Sequence, residues 1–157
     1  MNIQERSRLI EKIKELPRQA EDIVRGLNDD QLNTPYRDGG WTPRQVIHHL
    51  ADSHMNAVIR MKLILTEDHP TLKTYDQNEW AVLADTNESI QSSLSILKGL
   101  HERWGILLGK VKDSEWSRKA EHPESGEITL KQLLVTYARH GENHVAQISN
   151  LRKAKSW

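Results

Sequence analysis

Apolar side chains recur every three to four residues along most of this chain, which is the spacing of a helix with one apolar face. The pattern predicts four long helices, over residues 3–27, 43–65, 88–111 and 129–153. Pro17 falls inside the first of them and is expected to kink or split it, because proline lacks a backbone N–H. No segment alternates between apolar and polar residues as a strand does, so the predicted fold class is all-α.

The predicted helices are joined by turns and by two long connections. Residues 67–86 form the first connection, with a short helix expected around residues 78–83, and residues 112–127 form the second. Thr42 and Thr129 are expected to cap the second and fourth helices, because each is followed three residues later by a glutamine that completes a capping box. These elements predict one four-helix bundle domain with long connections, spanning residues 1–157.

Composition narrows the classes of partner and of chemistry. The chain carries 22 basic and 22 acidic side chains, so its net charge of zero gives no reason to expect a nucleic acid or a membrane as partner. It has no cysteine, which excludes disulfides, thiolate metal sites and a cysteine nucleophile. The first sixteen residues are charged and amphipathic, and no run approaches the roughly 18 apolar residues of a membrane span. We therefore expect a cytoplasmic protein without a signal peptide.

Two of the eight histidines lie four residues apart in the last predicted helix, in the stretch "YARHGENH". At about 100° per residue, His140 and His144 fall within the apolar stripe of that helix, and Glu142 falls on the opposite face. Glu142 therefore cannot be the general base of an HExxH metalloprotease. Imidazoles at this spacing can bind one metal ion together. The alternative is that each ring is a hydrogen-bonded core residue.

A third metal ligand is sought in "VIHHLADSH", residues 46–54 of the second predicted helix. His48 is expected to point towards solvent, whereas His54 lies near the middle of the apolar stripe. His49 lies at one edge of that stripe, beside a polar strip at helical spacing. That strip consists of Ser53, Asn56 and Arg60. The spacing leaves both His49 and His54 open as ligands. The other histidines, His69, His101 and His122, are expected to be structural or solvated, with His101 at the surface or the bundle edge.

Polar side chains on the same strip as His49 are candidates for contact with a substrate. We expect Asn56 and Arg60 to orient a polar or anionic group, with a solvated charge at the bundle edge as the alternative for Arg60. Trp41 is expected to hold the turn before the second helix. Tyr75 and Trp80 are candidates for a pocket wall, although the sequence assigns them no direction.

Three stretches resemble the YfiT-like branch of the DinB superfamily: "TPYRDGGWTPRQVIHHLADSHMNAVIRMKL", "TYDQNEWAVLADT" and "YARHGENHVAQI". The resemblance runs from about residue 5 to the end of the chain. It implies a four-helix bundle in which three histidines hold a divalent metal, one from the second helix and two from the last. Carried over residue by residue, these ligands are His49, His140 and His144, which decides between His49 and His54. The stretch "RHGENH" departs from a more histidine-rich one in close relatives, and the chain is expected to begin directly at its first helix.

The resemblance also implies an activity. Three histidines on Zn²⁺, the metal we expect, or on Ni²⁺, the alternative, leave one coordination position open. The expected function is an S-transferase that joins a low-molecular-weight thiol, similar to bacillithiol, to an electrophile. One alternative is a hydrolase that uses a metal-bound hydroxide, and another is a non-enzymatic bundle with a structural metal. The family also makes a homodimer an expectation.

Overall fold

Four long helices and a small hairpin make up the protein, and a computed structural model describes all 157 residues. In chain order the helices are α1 (Ile3–Val24), α2 (Asp29–Leu32), α3 (Pro43–Thr66), α4 (Gln77–Trp80), α5 (Gln91–Lys110) and α6 (Leu130–Lys155). The strands β1 (Lys119–His122) and β2 (Gly126–Thr129) pair antiparallel just before α6, and 3₁₀ turns cover Ala84–Asn87 and Asp113–Ser117. The predicted all-α four-helix bundle is confirmed.

Capping boxes fix the starts of α3 and α6, the two helices that carry the site. The Thr42 hydroxyl accepts from the Gln45 N–H at 3.2 Å, and the Gln45 side chain accepts from the Thr42 N–H at 3.0 Å. Thr129 and Gln132 repeat this arrangement at 3.2 Å and 2.8 Å. Each box satisfies two N–H groups that the first helical turn leaves without partners, so both predicted starts are confirmed.

Pro17 neither splits α1 nor ends it, because the helix runs from Ile3 to Val24 without a break. The missing N–H of Pro17 deprives the Ile13 carbonyl of its normal partner four residues on. His101 of α5 supplies a replacement, with its Nδ1 atom 2.5 Å from the Ile13 oxygen. The helix stops three residues earlier than predicted, where Gly26 adopts a left-handed φ of +79°.

The bundle is arranged so that α1 and α3 each pack against both α5 and α6. The inner face of α3 therefore meets the inner face of α6. α5 begins at Gln91 and not at the predicted residue 88, because the backbone of Glu88 is extended, with a ψ of −178°. The Glu88 carbonyl accepts from the Arg44 guanidinium at 2.8 Å. No helix combines the length and the apolar content that crossing a membrane requires.

The hairpin before α6 was not predicted, and the expectation of no strand is wrong. Its strands have only four residues each, too few for a clear alternation of apolar and polar positions. Ala120 is fully buried and pairs with Ile128. The short helix expected at residues 78–83 is present as α4, followed by the 3₁₀ turn at residues 84–87.

Two helical glycines test how closely the helices pack. An added Cβ at Gly141 of α6 would lie 2.7 Å from a methyl carbon of the buried Leu16 in α1, whereas one at Gly99 would meet nothing within 4 Å. We expect Gly141→Ala to destabilise the fold, because overpacking of about 1–3 kcal/mol exceeds the helix-propensity gain of about 0.5–1 kcal/mol. The matched variant Gly99→Ala should raise the melting temperature. Equal melting temperatures for the two variants would contradict the close contact between α1 and α6.

Candidate metal centre

Three imidazoles from two helices converge at one point inside the bundle. His49 comes from α3, and His140 and His144 come from successive turns of α6. The Nε2 atom of His140 lies 3.0 Å from that of His49 and 3.1 Å from that of His144. One nitrogen from each ring can be chosen so that all three lie within 4.8 Å of one another. The structure thus brings together the three histidines that the resemblance singled out.

Burial keeps these rings neutral. Burial, together with a smaller effect of the neighbouring imidazoles, lowers the pKa of His49 and of His140 to about 3. Burial also lowers the pKa of His144, against a hydrogen bond to Gln147 that raises it. A neutral imidazole has one N–H donor and one nitrogen with a free lone pair. At neutral pH each ring therefore offers one nitrogen to an ion.

The donor set fits a divalent metal ion. The His144 Nδ1 lies 2.8 Å from the Gln147 side-chain oxygen, which only accepts, so Nδ1 carries the proton and Nε2 has the lone pair. That lone pair faces the His140 Nε2 at 3.1 Å. Nitrogens about 3 Å apart can share one ion at metal–nitrogen distances of about 2.0–2.1 Å. Imidazole suits both Zn²⁺ and Ni²⁺, and three such ligands leave a position open.

Trp41 closes one side of this cluster. Its ring centroid lies 4.6 Å from that of His49, and it stacks on His144 at 6.3 Å with an interplanar angle of 12°. Trp41 was expected only to hold the preceding turn, because its position between a glycine pair and a helix cap gives no sign of contact with the last helix. A large aromatic ring here restricts the orientations of two candidate ligands.

His54 lies behind the cluster and has no exposed surface. Its Nε2 is 3.1 Å from the Nδ1 of His140, and its Nδ1 is 3.0 Å from the Nε2 of His101. Burial lowers the pKa of His54 well below its ordinary value and that of His101 to about 4. His54 thus contacts a candidate ligand and is not one of the three converging rings.

Two predicted orientations of histidines are wrong. His101 is 1% exposed and not at the surface, because α5 turns this face towards both α1 and α3. His48 is 7% exposed and does not point to solvent. Its Nδ1 lies 2.8 Å from the Ser93 hydroxyl, and its Nε2 lies 3.2 Å from the Glu88 carbonyl. α5 and the segment before it cover the side of α3 that the helical pattern places outside.

Three further residues considered from the sequence, Glu142, His69 and His122, lie outside the histidine cluster. Glu142 is exposed and pairs with Lys12 at 2.6 Å, as its place on the outer face of α6 indicates. His69 is an exposed residue of the first long connection with a left-handed φ of +47°. His122 is half-buried in β1 and reaches the wall of the cavity beside the cluster.

A polar cavity of about 620 Å³ opens beside His140. Its walls come from α3, from the connection after α3, from the hairpin and from α6. The lining residues are Ser53, Arg60, Thr74, Tyr75, Asp76, Gln77, His122, Glu124, Thr136, Tyr137 and His140. The Tyr75 ring packs against that of Trp80, with 4.4 Å between the centroids and an interplanar angle of 40°. Burial raises the pKa of the Tyr75 phenol. The volume falls within the range of about 300–1,000 Å³ found for small-molecule sites.

Arg60 reaches this cavity, but the second predicted substrate contact does not. Arg60 is 9% exposed, so the alternative of a solvated charge at the bundle edge is wrong. Its guanidinium donates to the Tyr137 hydroxyl at 2.9 Å and to the Lys73 carbonyl at 2.7 Å, and it forms no ion pair. Asn56 donates to the Asp52 carbonyl of its own helix and is absent from the cavity wall.

Comparisons with known proteins agree with one another. A family model described as the DinB superfamily matches residues 12–148. A protein of Oceanobacillus iheyensis named "Putative metal-dependent hydrolase" is 51% identical over 148 residues, which cover 94% of this chain and 86% of that protein. The structure of YfiT from Bacillus subtilis, described as a probable metal-dependent hydrolase with an unusual four-helix bundle topology, is 41% identical. It aligns with a TM-score of 0.97 over all of this chain and 91% of that one.

A more distant likeness extends to a different enzyme. The structure of the mycothiol-dependent maleylpyruvate isomerase aligns with a TM-score of 0.73 over 94% of this chain and 61% of that one. The two sequences are 12% identical, so the likeness shows a shared fold alone.

The buried imidazoles predict a pH-dependent stability. The pKa of His49 is about 3 in the folded protein and near 6.5 in the unfolded chain, so between these values only the unfolded chain binds the proton. The free energy of unfolding should therefore fall as the pH falls below about 6.5, by up to about 1.4 kcal/mol per pH unit for each such ring. Urea unfolding of chelator-treated protein between pH 7 and pH 4.5 measures this dependence.

Two variants isolate the contribution of the cluster. His49→Gln should reduce the slope by up to one proton. His69→Gln replaces an exposed imidazole outside the cluster and controls for the loss of a histidine as such. Identical slopes in all three proteins would show that His49 is not held neutral by the fold.

Proposed function

This chain belongs to the DinB superfamily, and from that membership and the geometry of its three histidines we propose that it is a metal-dependent enzyme. In this proposal His49, His140 and His144 hold one divalent ion, with Zn²⁺ as the expected metal and Ni²⁺ as the alternative. The observation that carries the proposal is the convergence of three neutral imidazoles beside a polar cavity. Three protein ligands with one open position are typical of catalytic sites and not of structural ones.

The proposed reaction is the transfer of a low-molecular-weight thiol to an electrophilic carbon. When bound, a divalent ion with an open position lowers the pKa of a thiol or water that joins it and so supplies an ionised nucleophile near neutral pH. The chain has no cysteine of its own, so a thiol nucleophile has to arrive as a cosubstrate. The sulfur forms a bond to the electrophilic carbon, the leaving oxygen or halide departs with its electron pair, and the thiol proton passes to solvent.

The cavity favours a polar cosubstrate for this reaction. Arg60 is largely buried, has no acidic partner and lines the same cavity as His140. An unpaired guanidinium in such a place attracts an anionic group. A thiol similar to bacillithiol, with its charged and hydroxyl groups, suits these walls. The mycothiol-dependent isomerase has the same fold and requires a thiol of this general kind, which is consistent with the proposal.

Hydrolysis is the second candidate, and the names of the relatives favour it. The relative from Oceanobacillus iheyensis and YfiT are both described as metal-dependent hydrolases, although each description is provisional. In this alternative, water takes the place of the thiol, and the same cavity holds the substrate to be cleaved. The residues that bind and orient the substrate would be the same in both activities. The transferase and the hydrolase therefore differ in the nucleophile that they consume, a thiol or water.

We expect the purified, untagged protein to bind about one Zn²⁺ or Ni²⁺ ion per chain, measured by elemental analysis. His49→Ala and His140→Ala should lose the ion, because each removes one of three ligands, while His69→Ala should retain it. Activity is then assayed with cysteine or bacillithiol and 1-chloro-2,4-dinitrobenzene, and separately with nitrophenyl esters in the absence of thiol.

The outcomes separate the candidates. If thiol and 1-chloro-2,4-dinitrobenzene are consumed together, and only when the ion is bound, the transferase is supported. Ester cleavage without thiol supports the hydrolase. An ion that binds tightly but supports neither reaction indicates a structural metal, and no bound ion would overturn the metal-dependent proposal altogether.

Arg60→Ala should raise the KM for the thiol at least tenfold, because an anionic group would lose a charge-assisted hydrogen bond. Arg118→Ala is the matched control. Arg118 is another guanidinium that donates to backbone carbonyls, those of Ile64 and Glu67, but it lies outside the cavity wall. An unchanged KM in Arg60→Ala, or equal changes in both variants, would exclude the substrate contact.

A further inference from the structure

A continuous series of hydrogen bonds runs from the backbone of α1 to the candidate ligand His140. The Nδ1 of His101 contacts the Ile13 carbonyl at 2.5 Å. The Nε2 of His101 contacts the Nδ1 of His54 at 3.0 Å, and the Nε2 of His54 contacts the Nδ1 of His140 at 3.1 Å. Both intermediate rings are essentially without exposed surface. The series thus links four helices, α1, α5, α3 and α6, through the interior of the bundle.

The series begins at a carbonyl that Pro17 leaves free. In a regular helix the Ile13 oxygen would accept from the N–H of residue 17, and proline has none. His101 reaches across from α5 and takes that oxygen. The start of the series is therefore a backbone group whose polarity cannot reverse, since a carbonyl oxygen accepts and never donates.

That fixed acceptor determines the position of every proton along the series. His54 and His101 form no ion pair with a carboxylate and lie in the core, where a charged ring is costly, so each carries one proton. The proton of His101 must lie on Nδ1, which leaves Nε2 as an acceptor. His54 must then donate from Nδ1 and accept at Nε2, and His140 must donate from Nδ1.

We propose that His101 and His54 are positioning residues that fix the tautomer of His140, so that its proton stays on Nδ1 and its Nε2 lone pair faces the metal position. The proposal rests on the proposed three-histidine site. Ligand histidines in metal sites commonly donate their second N–H to a carboxylate or a carbonyl. Here the imidazoles of His54 and His101 stand between His140 and the Ile13 carbonyl. A carbonyl of α1 therefore fixes the tautomer of a ligand on α6.

The alternative is that the buried histidines only fill the core. The two descriptions differ in what happens when the acceptor at His101 is removed. Without it, His54 is free to carry its proton on Nε2 and donate to the Nδ1 of His140. The proton of His140 then moves to Nε2 and occupies the atom that faces the metal position. A purely structural role predicts a loss of stability without any change of tautomer.

The test compares three variants of α5 in the full chain. His101→Leu removes both polar atoms, and His101→Gln restores an acceptor for His54. Leu97→Ala is a control that damages the same helix one turn away, at a position without exposed surface. The readouts are the Zn²⁺ dissociation constant, from competition with a chromogenic chelator, and the histidine tautomers of the metal-free protein, from long-range ¹H–¹⁵N spectra.

We expect the wild-type protein to show the Nδ1–H tautomer at His54, His101 and His140. His101→Leu should move His140 to the Nε2–H tautomer and raise the Zn²⁺ dissociation constant about 10- to 100-fold. His101→Gln should restore most of the affinity, and Leu97→Ala should leave both readouts as in the wild type at an equal loss of stability.

Two results would overturn the proposal. One is an Nε2–H tautomer at His140 in the wild-type protein, which needs no variant and so holds even if His101→Leu fails to fold. The other is a dissociation constant in His101→Leu equal to that of Leu97→Ala. If the wild-type protein binds no Zn²⁺ but His140 carries its proton on Nδ1, the metal proposal fails while the tautomer assignment stands.

Discussion

Imidazole rings inside a bundle of apolar helices are tolerated only when their buried nitrogens have partners, and this constraint governs the centre of the molecule. Five histidines from α3, α5 and α6 meet there: His49, His54, His101, His140 and His144. Their partners are one another, the Gln147 side chain and the Ile13 carbonyl. Each pairing requires its helices to be at a particular distance and rotation. The packing of the helices and the geometry of the candidate centre are therefore set together.

α1 contributes no candidate ligand, yet it fixes the position of the two helices beside it. Leu16 packs against Gly141, which lets α6 approach closely at the residue next to His140. One turn earlier in α1, the Ile13 carbonyl holds His101 on α5. A proline in the middle of a helix usually costs stability. Here Pro17 leaves the Ile13 carbonyl without its helical partner, and His101 binds that carbonyl in the interior of the bundle.

Much of the fold follows from local pattern, because the apolar spacing and the two threonine caps define α3 and α6 closely. The pair His140 and His144 is also readable, since four-residue spacing places both rings on one side of a helix. The choice of His49 over His54 came from the resemblance to the family and not from spacing. The predictions for His48 and His101 are wrong because a helical pattern shows one apolar side, whereas α3 packs against both α5 and α6, and α5 packs against both α1 and α3. The cavity, the role of Trp41 and the chain of imidazoles depend on contacts between residues distant in sequence.

The candidate ligands are also unevenly spread along the chain. His140 and His144 are four residues apart, whereas His49 lies 91 residues before His140. An ion held by all three would close a loop of more than half the chain. This protein has no cysteine, so it has no covalent cross-link of that kind. The ion would take the topological place of a disulfide, but as a reversible link whose strength depends on the free metal concentration. Metal supply in the surroundings would then add to the free energy of unfolding, in addition to determining whether the protein reacts.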